Sequence, residues 1–153
     1  MPDVVRAVPD AQLLLAGNGI EKTAIEALIE ELGMREHVRL LGYTLNMEEY
    51  QRVSEISVSC SRREGLGLNL IEGMLSGNPV VATRNRGHNE LVHDGENGFL
   101  IGQNDYDALA ERLIELLSDD KKRTFLSENG YRLAQKYSFP SVKKELKEIY
   151  YGN

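Results

Sequence analysis

The sequence predicts an α/β fold in which helices cover both faces of a parallel sheet. Three observations predict it: short apolar runs recur along the chain, turn residues close them, and stretches with helical spacing separate one run from the next. Strands that alternate with helices pair in parallel, and the carboxyl ends of their strands meet at one edge. Ligands of such sheets bind at that edge, so the loops that follow strands are where a site is expected.

The first part of the chain contains three predicted strands and two helices. The apolar runs that predict strands lie at residues 13–16, 38–41 and 56–59. Apolar residues at spacings of three and four predict a helix over residues 20–32, and Gly33 ends it. Asn46 stands where its side chain could cap a short helix over residues 46–53.

The second part continues the alternation and then becomes helical. The two further strands are predicted at residues 80–82 and 99–101. A helix over residues 68–76 ends at Gly77, and a short helix is expected near residues 89–92. From Asp105 onward the spacing is helical to the end. The five strands together predict one parallel sheet of five strands.

Composition and charge exclude several classes of protein. The chain has 153 residues, the usual size of one domain, and its 41% hydrophobic and 27% charged residues are typical of a globular protein. A formal net charge of −6 argues against nucleic acid as a partner. Cys60 is the single cysteine, so no internal disulfide can form and a reducing cytoplasm is the expected location. We expect Cys60 to be buried.

The loop after the third strand has the features of an anion site. Gly65 and Gly67 lie between the strand and a helix, and without a β-carbon they let a ligand approach the backbone closely. The amides of Gly67, Leu68 and Asn69 have no partner within the helix, and the helix dipole favours a negative charge there. A tight turn without any ligand would explain the glycines alone equally well.

Two carboxylates favour a ligand at this loop. Glu64 precedes the glycines, and Glu72 lies one turn into the helix, on a polar stripe with Asn69 and Ser76. A solvated helix face would also give such a stripe. Because this helix is mostly apolar and lies between two strands, we expect Glu72 to be partly enclosed and to need hydrogen-bond donors, which ribose hydroxyls would supply.

Glu64 and Glu72, separated by seven residues across a Gly-x-Gly loop, resemble the signature of glycosyltransferase family 4. The continuation PVVA at residues 79–82 and TRNRGHNELVHDGENG at residues 83–98 is similar to the same family, as are the upstream segments PDAQLLLAGNG and HVRLLGY. The resemblance covers nearly the whole chain and looks closest to the branch that builds bacterial capsular and extracellular polysaccharides. It implies a Rossmann-like domain, the C-terminal half of a GT-B fold.

The resemblance implies a role for each residue of the motif. Glu64, the catalytic candidate, would bind or orient the transferred sugar, and Glu72 would hold the ribose hydroxyls. The remaining implied donor-binding residues are Gly65, Leu66, Gly67, Leu68, Asn69 and, near the base, Tyr43. A packing role for Tyr43 remains equally open. No metal and no cofactor are expected, and a UDP-sugar is the favoured donor.

The resemblance further implies the donor-binding domain of a retaining glycosyltransferase. A sugar would pass from a nucleoside diphosphate sugar to a polysaccharide precursor, a sugar or lipid-linked sugar that an N-terminal domain binds. The expected location is the cytoplasm, with the inner face of the membrane as a peripheral site of the full-length protein. Family members often have two adjacent glycines where this chain has Arg86-Gly87, which leaves the identity of the sugar open.

Residues 1–153 would then form a single nucleotide-sugar-binding domain, truncated at its N-terminal edge. The acceptor domain and an opening strand with its Arg and Lys are expected to be missing, and the isolated chain is expected to be inactive. The missing strand would lie between the strands that end at Ala16 and Ser59. Its absence predicts a gap, a direct pairing of these strands, or pairing with another molecule, which would be a form of self-association.

Three other interpretations are weaker. A non-catalytic nucleotide-binding or interaction module is the main alternative. Gly17-Asn18-Gly19 suggests a dinucleotide oxidoreductase, but the third glycine of that fingerprint would fall at Lys22. The seven-residue spacing of the glutamates argues against an epimerase or phosphorylase. His88 follows a strand and could face the sugar, but a surface or capping role is expected for it.

Overall fold

The computed structural model describes residues 1–152, in which short parallel strands lie among α-helices. The strands are β1 (Leu13–Ala16), β2 (Val38–Gly42), β3 (Ser57–Ser59), β4 (Val80–Thr83) and β5 (Gly98–Ile101). The helices are α1 (Pro2–Ala7), α2 (Lys22–Glu31), α3 (Met47–Val53), α4 (Leu68–Leu75), α5 (Arg86–Leu91), α6 (Tyr106–Ser118), α7 (Asp120–Ala134) and α8 (Phe139–Tyr151). Each predicted strand is present, with its ends within one residue of the predicted ends, and the predicted α/β class is confirmed.

The strands form two sheets, so the prediction of one five-stranded sheet is wrong. β1 pairs with β2 in parallel, and β3, β4 and β5 form a second parallel sheet in that order. β1 and β3 are not hydrogen-bonded to each other, and residues of both line a common groove. Of the three outcomes expected here, the structure has the gap. The carboxyl ends of the strands still lead into the loops that carry the predicted site.

Local capping explains where the helices begin. α5 starts three residues before the predicted position, because the Asn85 side chain accepts a hydrogen bond from the His88 amide at 2.9 Å. Asn46 is the N-cap residue of α3, but its side chain makes no capping bond there. The helical C-terminal stretch is divided because Asp105 and Asp119 each cap a new helix, α6 and α7 respectively.

The core is centred on β4, whose four residues are all buried. One cluster packs α4 and α5 against one side, and a second packs β5, α6 and α7 against the other; their fully buried members include Leu70, Met74, Leu91, Leu116 and Leu126. α4 approaches β3 closely at Gly73, where a Cβ atom would overlap the Ser57 hydroxyl group. Cys60, expected to be buried, is exposed, since it follows the last residue of β3 at the open carboxyl edge.

The N-terminal part is less tightly packed than this core. No residue of β1, β2, α2 or α3 is buried in the described chain. The apolar face of α2 is exposed at Ile25 (37%), Leu28 (50%) and Leu32 (43%). The loops after β3 and β4 are therefore supported by a packed core, whereas the loops after β1 and β2 are not.

This difference in packing predicts a difference in hydrogen exchange. Because burial stabilises β4, we expect the amides of residues 80–83 to exchange slowest under native conditions. Amides of residues 13–16 and 38–42 should exchange about 100-fold faster or more, since local opening there breaks few apolar contacts. Native-state exchange followed by NMR measures both sets in one sample. Equal protection of the two sheets would contradict the packing difference.

Candidate functional site

The loop over residues 60–67 joins β3 to α4, and residues at the end of β4 hold it in place by hydrogen bonds. The Thr83 hydroxyl donates to the Ser61 carbonyl at 2.7 Å, and the Asn85 amide group donates to the same carbonyl at 2.9 Å. Both donors lie at the carboxyl end of β4. Two side chains from the neighbouring strand end thus fix the position at which the loop leaves β3.

Two further bonds hold the loop closer to its glycines. The Gly87 amide donates to the Glu64 carbonyl at 3.2 Å. The Gln103 side chain donates to the Arg62 carbonyl at 3.0 Å. The carbonyl oxygens of the loop are therefore turned toward the core and toward β5, where donors of the protein satisfy them.

The loop and α5 approach each other more closely than a side chain would allow. A Cβ atom at Gly87 would lie 2.7 Å from the Glu64 carbonyl oxygen and 2.9 Å from the carbonyl carbon of Gly65. Gly67, the N-cap residue of α4, has φ +78°, a conformation that favours glycine. Glycine is required at both positions for different reasons, close contact at Gly87 and left-handed backbone at Gly67.

The amides of this segment remain free. None of the backbone amides of residues 65–69 donates to a protein acceptor within residues 1–152. The first turn of α4 has no acidic side chain, and no side chain caps it. Free amides beside the positive end of a helix dipole form an anion site that a phosphate fits. The free amides expected at the start of α4 are thus present, and binding of a phosphate to them stays a prediction.

A groove of about 420 Å³ opens beside α4, between β1 and β3. It is lined by Leu14, Leu15, Ala16, Gly17, Leu41, Tyr43, Thr44, Met47, Tyr50, Gln51, Ser54, Ile56, Ser57, Val58, Asn69 and Glu72. Three of the predicted donor-binding residues, Tyr43, Asn69 and Glu72, therefore meet in one place. Tyr43 is 73% exposed there, so its ring is not packed into the core.

Glu72 is exposed, and the expectation that it would be partly enclosed is wrong. Enclosure required a strand on each side of α4, and the groove lies on the side that Glu72 faces. Its carboxylate makes no hydrogen bond or ion pair with the rest of residues 1–152. A carboxylate in this position is free to accept hydrogen bonds from a ligand in the groove.

Glu64 lies on the loop and does not line the groove. It is half-buried, and its Cγ atom is 3.6 Å from the point that a Cβ atom of Gly67 would occupy. Gly65 is exposed, Leu66 half-buried and Leu68 64% exposed. The predicted residues therefore form two adjoining parts, the loop with Glu64 and the groove with Glu72, which the start of α4 connects.

Sequence reasoning missed the residues that support the loop. Thr83, Asn85 and Gly87 all contact it, and His88, expected at the surface or in a capping role, is 0% exposed behind Gly67. One signal was present, since asparagine at residue 85, just after a buried strand, is a preferred residue at the start of a helix. Within residues 1–152, no three histidine, cysteine or carboxylate residues come together as metal ligands.

Comparison with known proteins identifies relatives over most of the chain. A family model described as "Glycosyl transferases group 1" matches residues 1–133. The EpsD protein of Bacillus subtilis, which is named as a glycosyltransferase, is 37% identical over 143 residues, 94% of this chain and 38% of EpsD. This chain thus spans well under half of that relative.

Two solved structures have the same fold. A TarM variant of Staphylococcus aureus, in complex with fondaparinux, α-GlcNAc-glycerol and UDP, matches with a TM-score of 0.86 and 27% identity, over 97% of this chain and 30% of TarM. The C-terminal domain of a glycosyl transferase group 1 family protein of Francisella tularensis, LpcC, matches with a TM-score of 0.81 and 26% identity, over 90% of this chain and 77% of that one.

The close contact at Gly87 predicts that Gly87→Ala destabilises the protein by about 1–3 kcal/mol, because the added methyl group meets the backbone of Glu64 and Gly65 and not a mobile side chain. Chemical denaturation measures the change. Gly65→Ala on the same loop is the control, since a Cβ atom there has no neighbour within 4 Å, and it should change stability by less than about 0.5 kcal/mol. Equal effects would show that the loop does not rest on Gly87.

Proposed function

Because the chain belongs to the glycosyl transferases of group 1, we propose that it is the donor-binding domain of a retaining enzyme that moves a sugar from a nucleoside diphosphate sugar to a polysaccharide-precursor acceptor. The family's named relatives are glycosyltransferases. One observation carries the proposal: the free amides of residues 65–69 adjoin a groove that contains an exposed, unpaired carboxylate, Glu72.

Each part of the nucleotide has a matching group. The diphosphate lies at the start of α4, on the amides of Leu68 and Asn69. Glu72 accepts hydrogen bonds from the ribose hydroxyls, and the base rests at the mouth of the groove against Tyr43. UDP is the favoured nucleotide, and the UDP in the TarM complex supports this choice.

The sugar lies beside the loop after β3. Glu64 binds or orients it, with the amides of Gly65, Leu66 and Gly67 nearby. Cleavage of the glycosidic bond leaves negative charge on the departing diphosphate. Amides that the fold already holds in place stabilise that charge with little reorganisation, and this is the main contribution of the domain to catalysis. We propose that no metal and no cofactor is required.

The amides alone hold a nucleotide weakly. A helix N-terminus contributes about 0.3–1 kcal/mol to anion binding when exposed and up to about 2 kcal/mol when partly buried. Affinity therefore depends on several groups acting together. Retention of configuration is proposed from the family resemblance alone.

The activity proposed for the whole protein needs more than this chain, which spans 38% of EpsD. A polysaccharide precursor, as a free or lipid-linked sugar, would be bound by another part of the full-length protein. We place the full-length protein in the cytoplasm, peripheral to the inner face of the membrane. Among the described helices, none has both the length and the apolar character that a membrane crossing requires.

A non-catalytic interaction module is the second candidate function, and the unpaired edges of β1 and β3 favour it. Strand edges that are not paired can accept a strand of another molecule, so we propose that the isolated chain self-associates. Sedimentation at increasing concentration tests this property. The two candidates differ in the transfer of sugar once an acceptor domain is present, since an interaction module gives no turnover even then.

The groove geometry predicts that Glu72→Ala weakens binding of UDP by tenfold or more. A hydrogen bond to a charged group contributes about 1.5–3 kcal/mol, and the substitution removes the acceptor. Calorimetry on the chain with UDP and with 2′-deoxy-UDP measures the effect. The deoxy nucleotide should lose less affinity than UDP, because one of its two hydroxyl donors is already missing.

Glu111→Ala is the matched control, since Glu111 is an exposed carboxylate on α6 that does not line the groove. It should leave both affinities unchanged within twofold. If Glu72→Ala lowers the affinity for UDP and for 2′-deoxy-UDP equally, Glu72 does not bind the ribose hydroxyls as proposed. Absence of nucleotide binding by the parent chain would refute the proposed function.

A further inference from the structure

The imidazole of His88 contains a buried nitrogen without a hydrogen-bond partner. His88 is 0% exposed, and Nε2 is the buried side-chain polar atom that lacks a partner in the part of the chain that the structure describes. Nearly all buried polar atoms in proteins are hydrogen-bonded, because a lost bond to water is costly if nothing replaces it. The orphaned Nε2 therefore requires an explanation.

Whether Nε2 carries a hydrogen depends on the other ring nitrogen, Nδ1. Nδ1 lies 2.7 Å from the Thr83 carbonyl oxygen and 3.0 Å from the Asn85 amide nitrogen. The carbonyl oxygen can only accept and makes the shorter contact, and the Asn85 amide already donates to the Ser61 carbonyl, so we assign the proton to Nδ1, which donates it to Thr83. In the neutral ring, Nε2 then has a lone pair and no hydrogen. The fold uses only Nδ1 and the backbone amide of His88, which Asn85 caps.

The unsatisfied edge of the ring faces the loop that carries Glu64. Cδ2, the atom bonded to Nε2, lies 3.2 Å from the point that a Cβ atom of Gly67 would occupy. The Cγ atom of Glu64 lies 3.6 Å from the same point. The carboxylate of Glu64 also makes no hydrogen bond or ion pair within residues 1–152. The side chains that carry these two unpaired groups thus both approach the same point, beside Gly67 at the start of α4.

These contacts place the Glu64 side chain and the His88 ring against the same residue, Gly67. The hydrogen bond proposed below joins the Glu64 carboxylate to Nε2 once a ligand has ordered the loop. The pair would share one proton, taken from solvent: whether it resides on Nε2 or on the carboxyl group, one hydrogen bond joins them. Both groups are then satisfied at once.

We propose that His88 is a positioning residue for the sugar of the donor: when a nucleotide sugar binds, Nε2 forms a hydrogen bond with Glu64 and holds its second carboxylate oxygen toward a sugar hydroxyl. This inference rests on the proposed function and extends it to a residue outside the motif. His88 acts through Glu64 and does not touch the nucleotide. Its effect is therefore confined to recognition of the sugar.

Two substitutions separate the two nitrogens. In His88→Gln, the side-chain amide nitrogen takes the place of Nε2 and can donate to Glu64 without an added proton. In His88→Asn, it takes the place of Nδ1 and keeps the bond to the Thr83 carbonyl, but nothing faces Glu64. A purely structural role needs the Nδ1 position, whereas the proposed role needs the Nε2 position.

Calorimetry with UDP, UDP-glucose and UDP-N-acetylglucosamine tests the proposal on the chain. The measured quantity is the dissociation constant of the sugar nucleotide divided by that of UDP, taken for the sugar nucleotide that the parent binds best. His88→Asn should raise this ratio at least fivefold. His88→Gln should keep this ratio within twofold of the parent, and both variants should bind UDP as the parent does. In the background of Glu64→Ala, His88→Asn should cause no further change.

The outcomes distinguish the proposal from its alternatives. The positioning role is overturned if His88→Asn leaves the ratio unchanged. It is also overturned if His88→Gln weakens binding of the sugar nucleotide relative to UDP while His88→Asn does not. If UDP binds normally and its binding depends on Glu72, but the ratio is the same in the parent and in both His88 variants, this inference is overturned and the proposed function remains. If the parent binds no nucleotide, both fail.

A measurement on the parent chain needs no variant. With ¹⁵N-labelled histidine, addition of the sugar nucleotide should shift the His88 Nε2 resonance, because a hydrogen bond forms there, and UDP alone should not. Nδ1 should keep its resonance, since its bond to the Thr83 carbonyl persists. An Nε2 resonance that the sugar nucleotide leaves unmoved overturns the proposal, even if either variant fails to fold.

Discussion

The direction in which the loop after β3 turns its backbone is the constraint on which the site depends. Each residue of the loop has a carbonyl group and an amide group that need partners. The carbonyls of Ser61 and Glu64 accept from groups at the end of β4 and the start of α5, and the carbonyl of Arg62 accepts from Gln103, which follows β5. The amides of residues 65–69 are consequently left for solvent or a ligand. The predicted phosphate site thus consists of amides that the hydrogen bonding of the loop leaves unused.

The two halves of the site differ in their support. The loop with Glu64 rests on the packed core around β4, whereas Tyr43 follows β2, in a part of the chain without buried strand residues. A nucleotide bound in the groove would contact both the well-packed loop that carries Glu64 and the less tightly packed segment that carries Tyr43. Ordering the segment that carries Tyr43 costs conformational entropy, which lowers the affinity that the contacts alone would give.

Local signals allowed most of the fold to be predicted, and nonlocal contacts account for the rest. Apolar runs and turn glycines located each strand to within one residue, and the start of α4 was predicted from Gly67 and the residues after it. The division into two sheets could not be predicted from these signals, because pairing depends on which strands meet in space. The error for Glu72 has the same origin: its enclosure required the sheet to be continuous beside α4.

His88 shows why supporting residues are harder to predict than contacting ones. The polar residues Arg86 and Asn89 near it are exposed, whereas Gly87 and Leu91 are buried with it. Its ring packs beside Gly67, a contact between distant parts of the chain, and the Asn85 side chain, which accepts from the His88 amide and donates to the Ser61 carbonyl, holds this turn against the loop. One asparagine therefore starts α5 and attaches that start to the loop before α4. The N-termini of two helices are coupled through it, so a group that binds the start of α4 is held by residues from both loops.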